Sequence, residues 1–224
     1  GLINWDRPAT FSPPTYAMKI KLGRIYLLIT KSDRVRYVGF TTRPDRQFAH
    51  LLAAKNRCPK ESQKKINGIN YDWDDGEIYG FVLLEWKAEL EARIDEIVLT
   101  NYYGGEELLN TVPGDPSPYF KSFEDAYAYG CELSKQVISK YNASIHSMQW
   151  YGRDDVGGPL WRKEIDECER MWEEDMKIAS MKMNKKNLSR VKSTSGWYRT
   201  AEGEFSCERR FPTGVPRSAT QIDR

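Results

Sequence analysis

The chain has 224 residues, 40% of them hydrophobic, with 34 Lys/Arg against 32 Asp/Glu and a net charge of +2. That length suffices for one large domain or a domain with an appendage, and the near balance of charge permits nucleic-acid binding without demanding it. No apolar run approaches the ~20 residues needed to cross a bilayer, and no signal-peptide pattern opens the chain, so the expectation is a cytoplasmic protein with no membrane partner.

Residues 1–18 carry three prolines and little periodicity, which reads as an arm. The stretch "KIKLG" adds a short strand. Residues 24–30 (RIYLLIT) and 34–41 (RVRYVGFT) are rich in β-branched and aromatic residues, and the polar turn Lys31-Ser32-Asp33 makes them a hairpin. Thr42, Arg43 and Pro44 open a helix, with Pro tolerated in a first turn and Phe48, Leu51 and Leu52 as its apolar face. A polar stretch broken by Gly and Asn follows, holding a short helix at about 60–67. A strand spans 78–86. The next helix, from residue 87 to 103, has Leu90, Ile94, Ile97 and Asn101 at helical spacing.

A loop dense in Gly and Pro ends that unit. Ser122 with Asp125 marks the start of a helix over 123–141. A longer helix covers 159–186, with Leu160, Ile165, Cys168, Met171, Trp172, Met176 and Ile178 apolar. Its first stretch is acidic: residues 154–176 hold nine acids and three bases, whereas 182–224 hold ten bases and four acids. Residues 196–211 read as a small hairpin about Glu202-Gly203. The four cysteines (Cys58, Cys131, Cys168, Cys207) include no C-x-x-C pair, and the only histidines are His50 and His146. This argues against structural zinc and for ordinary thiols in a reducing compartment.

In a hairpin turning at 31–33, Tyr26 and Tyr37 fall on adjacent rungs, close enough to serve one site. Arg46 and His50 are four apart and share a helix face. Glu96 lies on the later helix and Asn110 in the loop after it. Taken singly, each has an ordinary explanation as packing, solvated charge or turn former.

Taken in order, "RIY", eleven residues from Tyr26 to Tyr37 in "YVG", Arg-x-x-x-His, Glu and "LLN" resemble the GIY-YIG nuclease family over residues 22–114. The first tripeptide departs from the pattern: Arg24 stands where the family has glycine, with Gly23 just before it. The resemblance implies an α+β fold, with a three-stranded antiparallel sheet flanked by helices, and cleavage of DNA with one divalent metal. It implies Glu96 as the sole protein ligand of Mg²⁺ (or Mn²⁺), an ion that keeps several waters. Tyr26 with His50 would position or deprotonate the attacking water, Tyr37 would support it, Arg46 would hold the scissile phosphate, and Asn110 would brace the site. Glu96 is preferred to Glu91 because its gap to Asn110 matches the family habit. Arg43 is the reserve for Arg46 and a DNA contact.

The division expected is an arm at 1–21, a nuclease domain at 22–114 and a helical, basic, DNA-targeting region at 115–224. Lys185, Lys186, Arg190, Lys192, Arg209 and Arg210 are its candidate DNA-backbone contacts. The basic tail serves equally well to neutralise the acidic helix before it. The function expected is a Mg²⁺-dependent endonuclease of phage or mobile-element homing type, acting in a bacterial host cytoplasm. The alternatives are a restriction or structure-selective nuclease of the same chemistry, and a non-catalytic nucleic-acid-binding scaffold. One active site cuts one strand per visit, so a double-strand cut would require a dimer on DNA or sequential turnover.

Overall fold

The computed structural model describes residues 21–193, with side chains as far as Met183. The arm up to residue 20, the hairpin at 196–211, Arg209 and Arg210 lie outside the described residues. Lys185, Lys186, Arg190 and Lys192 fall on the backbone of the last helix, and their side chains also lie outside.

The described residues form an α+β fold with a four-stranded antiparallel sheet and five α-helices. The strands are β1 (Leu22–Thr30), β2 (Val35–Thr41), β3 (Tyr79–Leu83) and β4 (Lys87–Ala88). The helices are α1 (Arg46–Lys55), α2 (Gln63–Asp74), α3 (Glu89–Tyr103), α4 (Phe123–Ser144) and α5 (Pro159–Ser193). β1 is central. β2 pairs along one of its edges, Tyr26 opposite Gly39 and Leu28 opposite Tyr37, while β3 pairs along the other.

Successive side chains of a strand point to opposite faces, so β1 feeds two cores. Ile25, Leu27 and Ile29 pack with Ile94, Val98 and Leu99 of α3 and with Leu133 and Val137 of α4. Tyr26 and Leu28 pack with Phe48 and Leu51 of α1, Ile66 and Ile69 of α2, and Tyr151, Val156 and Trp161 beyond. Helices on both faces explain why "RIYLLIT" reads as a nearly unbroken apolar run rather than an alternating one. Both cores draw on residues on either side of position 114, so α4 and the start of α5 share the packing of the sheet unit. Among the described residues, no helix is long and apolar enough to cross a membrane.

Several elements differ from the sequence-based expectation. Of the short strand expected from "KIKLG", Leu22 and Gly23 open β1, while residues 19 and 20 lie outside the described residues. The sheet has four strands rather than three, because the run at 78–86 stops at Leu83 and the chain re-pairs as β4 opposite Leu22 and Gly23. Helix α1 begins at Arg46, not at 42–44: the Thr41 hydroxyl accepts from the Arg43 N–H at 2.8 Å and donates to the Arg43 carbonyl at 3.0 Å, closing a turn first. Helix α2 runs to Asp74, well past residue 67. The amide of Asn70 ties it to the carbonyls of Ala54 (2.8 Å) and Ile66 (3.0 Å). Tyr151 adds a bridge to the free edge of β3, exchanging both backbone bonds with Tyr79 at 2.8 and 3.0 Å. Ser122 caps α4 through the Asp125 N–H at 3.2 Å.

Candidate active site

β2 is an edge strand, and an edge strand presents outward N–H and C=O groups that need partners. They are taken in sequence. The Arg36 carbonyl accepts from the Leu109 N–H at 2.7 Å. At Val38 the N–H donates to Asn110 Oδ1 (3.0 Å) and the carbonyl accepts from Asn110 Nδ2 (2.7 Å). At Phe40 a backbone hydrogen bond reaches the Glu96 carboxylate. Asn110 and Glu96, from separate segments, are thereby laid along the same rim.

Tyr26 and Tyr37 project from the α1 face of the sheet, their ring centroids 6.2 Å apart. The Tyr26 hydroxyl meets His50 Nε2 at 2.5 Å, and the His50 ring lies 4.5 Å from that of Tyr37. This closeness depends on Gly39. A Cβ there would fall on Cζ and the hydroxyl of Tyr26, so the glycine of "YVG" is the floor on which the first tyrosine lies. Gly39→Ala is expected to push the ring off His50 and cost about 1–3 kcal/mol through overpacking. Urea unfolding measures the loss, and the Tyr26–His50 contact should vanish from the nuclear Overhauser spectrum. An unchanged contact would contradict it.

Burial pushes the Tyr26 hydroxyl well above the ordinary tyrosine value, helped by Tyr37, Glu96 and Glu61 and opposed by Arg46. Tyr37 is raised by burial, then by Glu96 and Glu61, again against Arg46. His50 is held down to about 3, by burial first, then by the charges of Lys65 and Arg46. It is neutral at neutral pH and able to share the Tyr26 proton. Burial raises Glu96, with Arg93 and the Phe40 bond offsetting part of the effect.

The structure therefore gathers Tyr26, Tyr37, His50 and Arg46 within mutual electrostatic reach, with Glu96 acting on both tyrosines and Asn110 on the adjacent rim. Arg46 is exposed at the start of α1. Glu91, on the same helix as Glu96, acts on Tyr129 instead. Arg43 stands apart, 72% exposed and bonded to Asp45 at 3.2 Å. Arg24 lies over the Trp86 ring at 4.7 Å and donates to the Leu84 carbonyl at 3.1 Å, so the residue at the family glycine position plays a packing part.

Sequence reasoning missed Glu61 and Lys65, which sit against this cluster. Lys65 Nζ lies 2.8 Å from Glu61 and 5.6 Å from the Tyr37 ring centroid. Their i,i+4 spacing was the available signal. Among the described residues there is no group of three or more His, Cys, Asp or Glu that could hold a metal by themselves. The donor chemistry nevertheless fits one Mg²⁺ or Mn²⁺: Glu96 is a hard oxygen ligand in a partly dehydrated position where a cation would favour its charged form, and such an ion keeps water in its remaining positions.

A second carboxylate near the same core titrates oppositely to His50. Glu164 of α5 accepts from the Tyr151 hydroxyl, and burial pushes it up to about 7. The unfolded chain holds more protons than the folded one at His50 between about 3 and its ordinary 6.5, so that contribution is complete above 6.5 and is lost as pH falls. The folded chain holds more protons at Glu164 between its ordinary 4.5 and about 7, so that contribution is complete below 4.5 and is lost as pH rises. Each slope is at most about 1.4 kcal/mol per pH unit. Between pH 4.5 and 6.5 the two slopes oppose each other, so urea midpoints there should fall with rising pH in His50→Gln and rise with it in Glu164→Gln, relative to the native chain. Parallel curves for both variants and the native chain would refute this.

Set against protein-family models, curated proteins and solved structures, the chain matches none of them.

Proposed function

We propose that the chain is a metal-dependent DNA endonuclease of the GIY-YIG type, hydrolysing phosphodiester bonds, with Glu96 as its only protein ligand to Mg²⁺ or Mn²⁺. The observation that carries this is the 2.5 Å contact between the Tyr26 hydroxyl and His50 Nε2, with Tyr37 against the same imidazole. Residues spread over some twenty-five positions converge on one proton-sharing cluster, with a carboxylate and an arginine acting on it from two further elements.

Hydrolysis at phosphorus requires an oriented water, a destination for its proton and compensation of charge on the phosphoryl oxygens. Arg46, exposed beside both tyrosines, holds a phosphate oxygen by charge-assisted hydrogen bonds. Tyr26 receives the proton of the attacking water on its oxygen while its own passes to neutral His50. Tyr37 confines the imidazole and offers its hydroxyl to the incoming phosphate. Asn110 keeps β2 and the 108–110 segment in register, which fixes the distance between the tyrosines and Glu96. The metal, when bound, supplies charge compensation at the phosphoryl oxygens.

The homing or mobile-element role, and the use of the basic residues after 182 for DNA targeting, belong to the same proposal. They draw on charge alone: ten bases against four acids. A non-catalytic scaffold is the second reading, favoured by the burial of Tyr26, which is only 1% exposed.

The deciding experiment is cleavage of several plasmid and phage DNAs by the full chain with Mg²⁺ or Mn²⁺, with gel-shift binding in the same tubes. Metal-dependent cutting supports the nuclease. Binding without cutting under any metal would make the scaffold the better account.

A further inference from the structure

Lys65 is the residue whose position the chemistry above leaves unexplained. It is 5% exposed, and a lysine is almost never buried without a partner. Its partner is Glu61, four residues earlier and just ahead of α2, at 2.8 Å, an arrangement that holds the ammonium still. The ammonium faces the ring of Tyr37 at 5.6 Å, and that ring lies 4.5 Å from the His50 imidazole. Surface salt bridges gain little and would not require burying the long stem of a lysine against this tyrosine.

We infer that Lys65, clamped by Glu61, is a positioning residue of the tyrosine–histidine cluster, its ammonium holding the Tyr37 ring against His50 and standing as a fixed positive charge beside the imidazole. The groups facing that imidazole are Tyr26 from β1, Tyr37 from β2, Arg46 from its own helix and Lys65 from α2, with Glu61 behind the lysine. Of the charges, Lys65 disfavours the imidazolium most, with Arg46 second. Removing it lets His50 hold a proton at a pH where the native side chain is free to accept one. Its consequence for cleavage rests on the nuclease reading above; its effect on His50 does not.

The test uses the full chain labelled for imidazole NMR. The chain has only two histidines, and exposed His146 serves as the internal reference. In the native chain His50 should stay neutral throughout pH 5–8. In Lys65→Met and Lys65→Gln the His50 midpoint should rise by about one unit, a tenfold gain in proton affinity, while His146 stays put. Lys65→Arg should restore native behaviour.

A His50 midpoint unmoved in a folded neutral variant overturns the inference. So does unfolding of both neutral variants beside a folded Lys65→Arg, which would make the lysine a structural cation only. If the native chain cleaves DNA, the acid limb of its kcat profile at saturating Mn²⁺, where the cation would keep Glu96 charged, should move up in pH in the neutral variants with KM little changed; a uniform fall at every pH overturns the positioning role. Absence of cleavage in every form, with the His50 shift present, would remove the nuclease reading and leave this one intact.

Discussion

Glu96→Gln is expected to lower DNA cleavage by about 10³-fold, whereas Glu91→Gln leaves it within a few-fold of native. The two carboxylates are five residues apart on α3, which puts them roughly 140° apart around the helix. Glu96 lies on the β2 rim, bonded at Phe40 and acting on Tyr26 and Tyr37. Glu91 acts on Tyr129, towards the α4 face. The glutamine keeps the size of the side chain and an oxygen for the Phe40 N–H, so the fold should survive. Burial raises the Glu96 carboxyl, so its charge is disfavoured there, and the neutral amide should leave stability equal or slightly higher. Calorimetric titration with Mn²⁺ separates loss of metal from loss of chemistry: binding should disappear in Glu96→Gln and persist in Glu91→Gln. Raising the metal concentration should move the acid limb of native cleavage to lower pH, because a bound cation favours the charged carboxylate. Undiminished cleavage by Glu96→Gln would move the ligand to another residue and break the correspondence with the GIY-YIG pattern.

The hairpin and the order of polar residues were legible because the central strand is a nearly unbroken apolar run and because the "YVG" glycine and Arg-x-x-x-His sit on β2 and α1, with "LLN" in the loop after α3. The depth of α2 was not. Asn67, Gly68 and Asn70 look like helix breakers in isolation. Here the Leu109 side chain occupies the space beside Gly68, and the Asn70 amide is spent on Ala54 and Ile66. Tertiary contact thus overrides propensity.

The strand break at Leu83 escaped notice for a similar reason: Leu84 still donates its N–H to Ile25, at 2.9 Å, while the chain turns away to form β4. The bridge at Tyr151 involves too few residues to carry any period. Glu61 and Lys65 read as two more charges in a polar stretch, and only the docking of α2 over Tyr37 makes one of them buried. Glu96 could be preferred to Glu91 only through the family's spacing, because which flank of α3 faces the tyrosines is fixed by its packing on β1 and β2.

Asp72→Ala is expected to cost about 3–5 kcal/mol, because it strips a buried cation of its buried carboxylate and leaves only the exposed Glu107 carboxylate, 3.7 Å away. The cation is Arg36, and it is buried for a local reason. The β1–β2 register shifts between Leu28 and Ile29, so Tyr37 pairs with Leu28 and Val35 with Ile29, leaving Arg36 as the extra residue of a bulge. A bulge re-aims its side chain. Arg36 Nε donates to Asp72 Oδ2 at 2.9 Å, the Tyr79 hydroxyl donates to the same oxygen, and Arg36 Nη1 donates to the Glu107 carbonyl. Burial is the largest influence and works against the guanidinium charge, but the bond to Asp72, the charge of Asp72 and Tyr79 together outweigh it, leaving Arg36 above its ordinary value.

Removal of both charges should behave differently from removal of one. Asp72→Leu with Arg36→Met should lie within about 1–2 kcal/mol of native, since an apolar pair of similar volume has no charge to desolvate. Tyr79→Phe should cost about 1 kcal/mol, the net worth of one hydrogen bond. Urea midpoints at constant slope measure all three; an Asp72→Ala loss below 1 kcal/mol would contradict the argument. The same network reaches the candidate site. Arg36 holds the Glu107 carbonyl through its side chain and the Leu109 N–H through its own carbonyl, and Asn110 follows immediately to brace Val38. Freed of Asp72, Arg36 no longer fixes that segment, and the register between Asn110 and β2 loosens. Cleavage by Asp72→Ala should therefore fall about tenfold even at temperatures where the variant stays folded, while the charge-free pair, which also lacks the Glu107 contact, should share the fall in cleavage without the loss of stability.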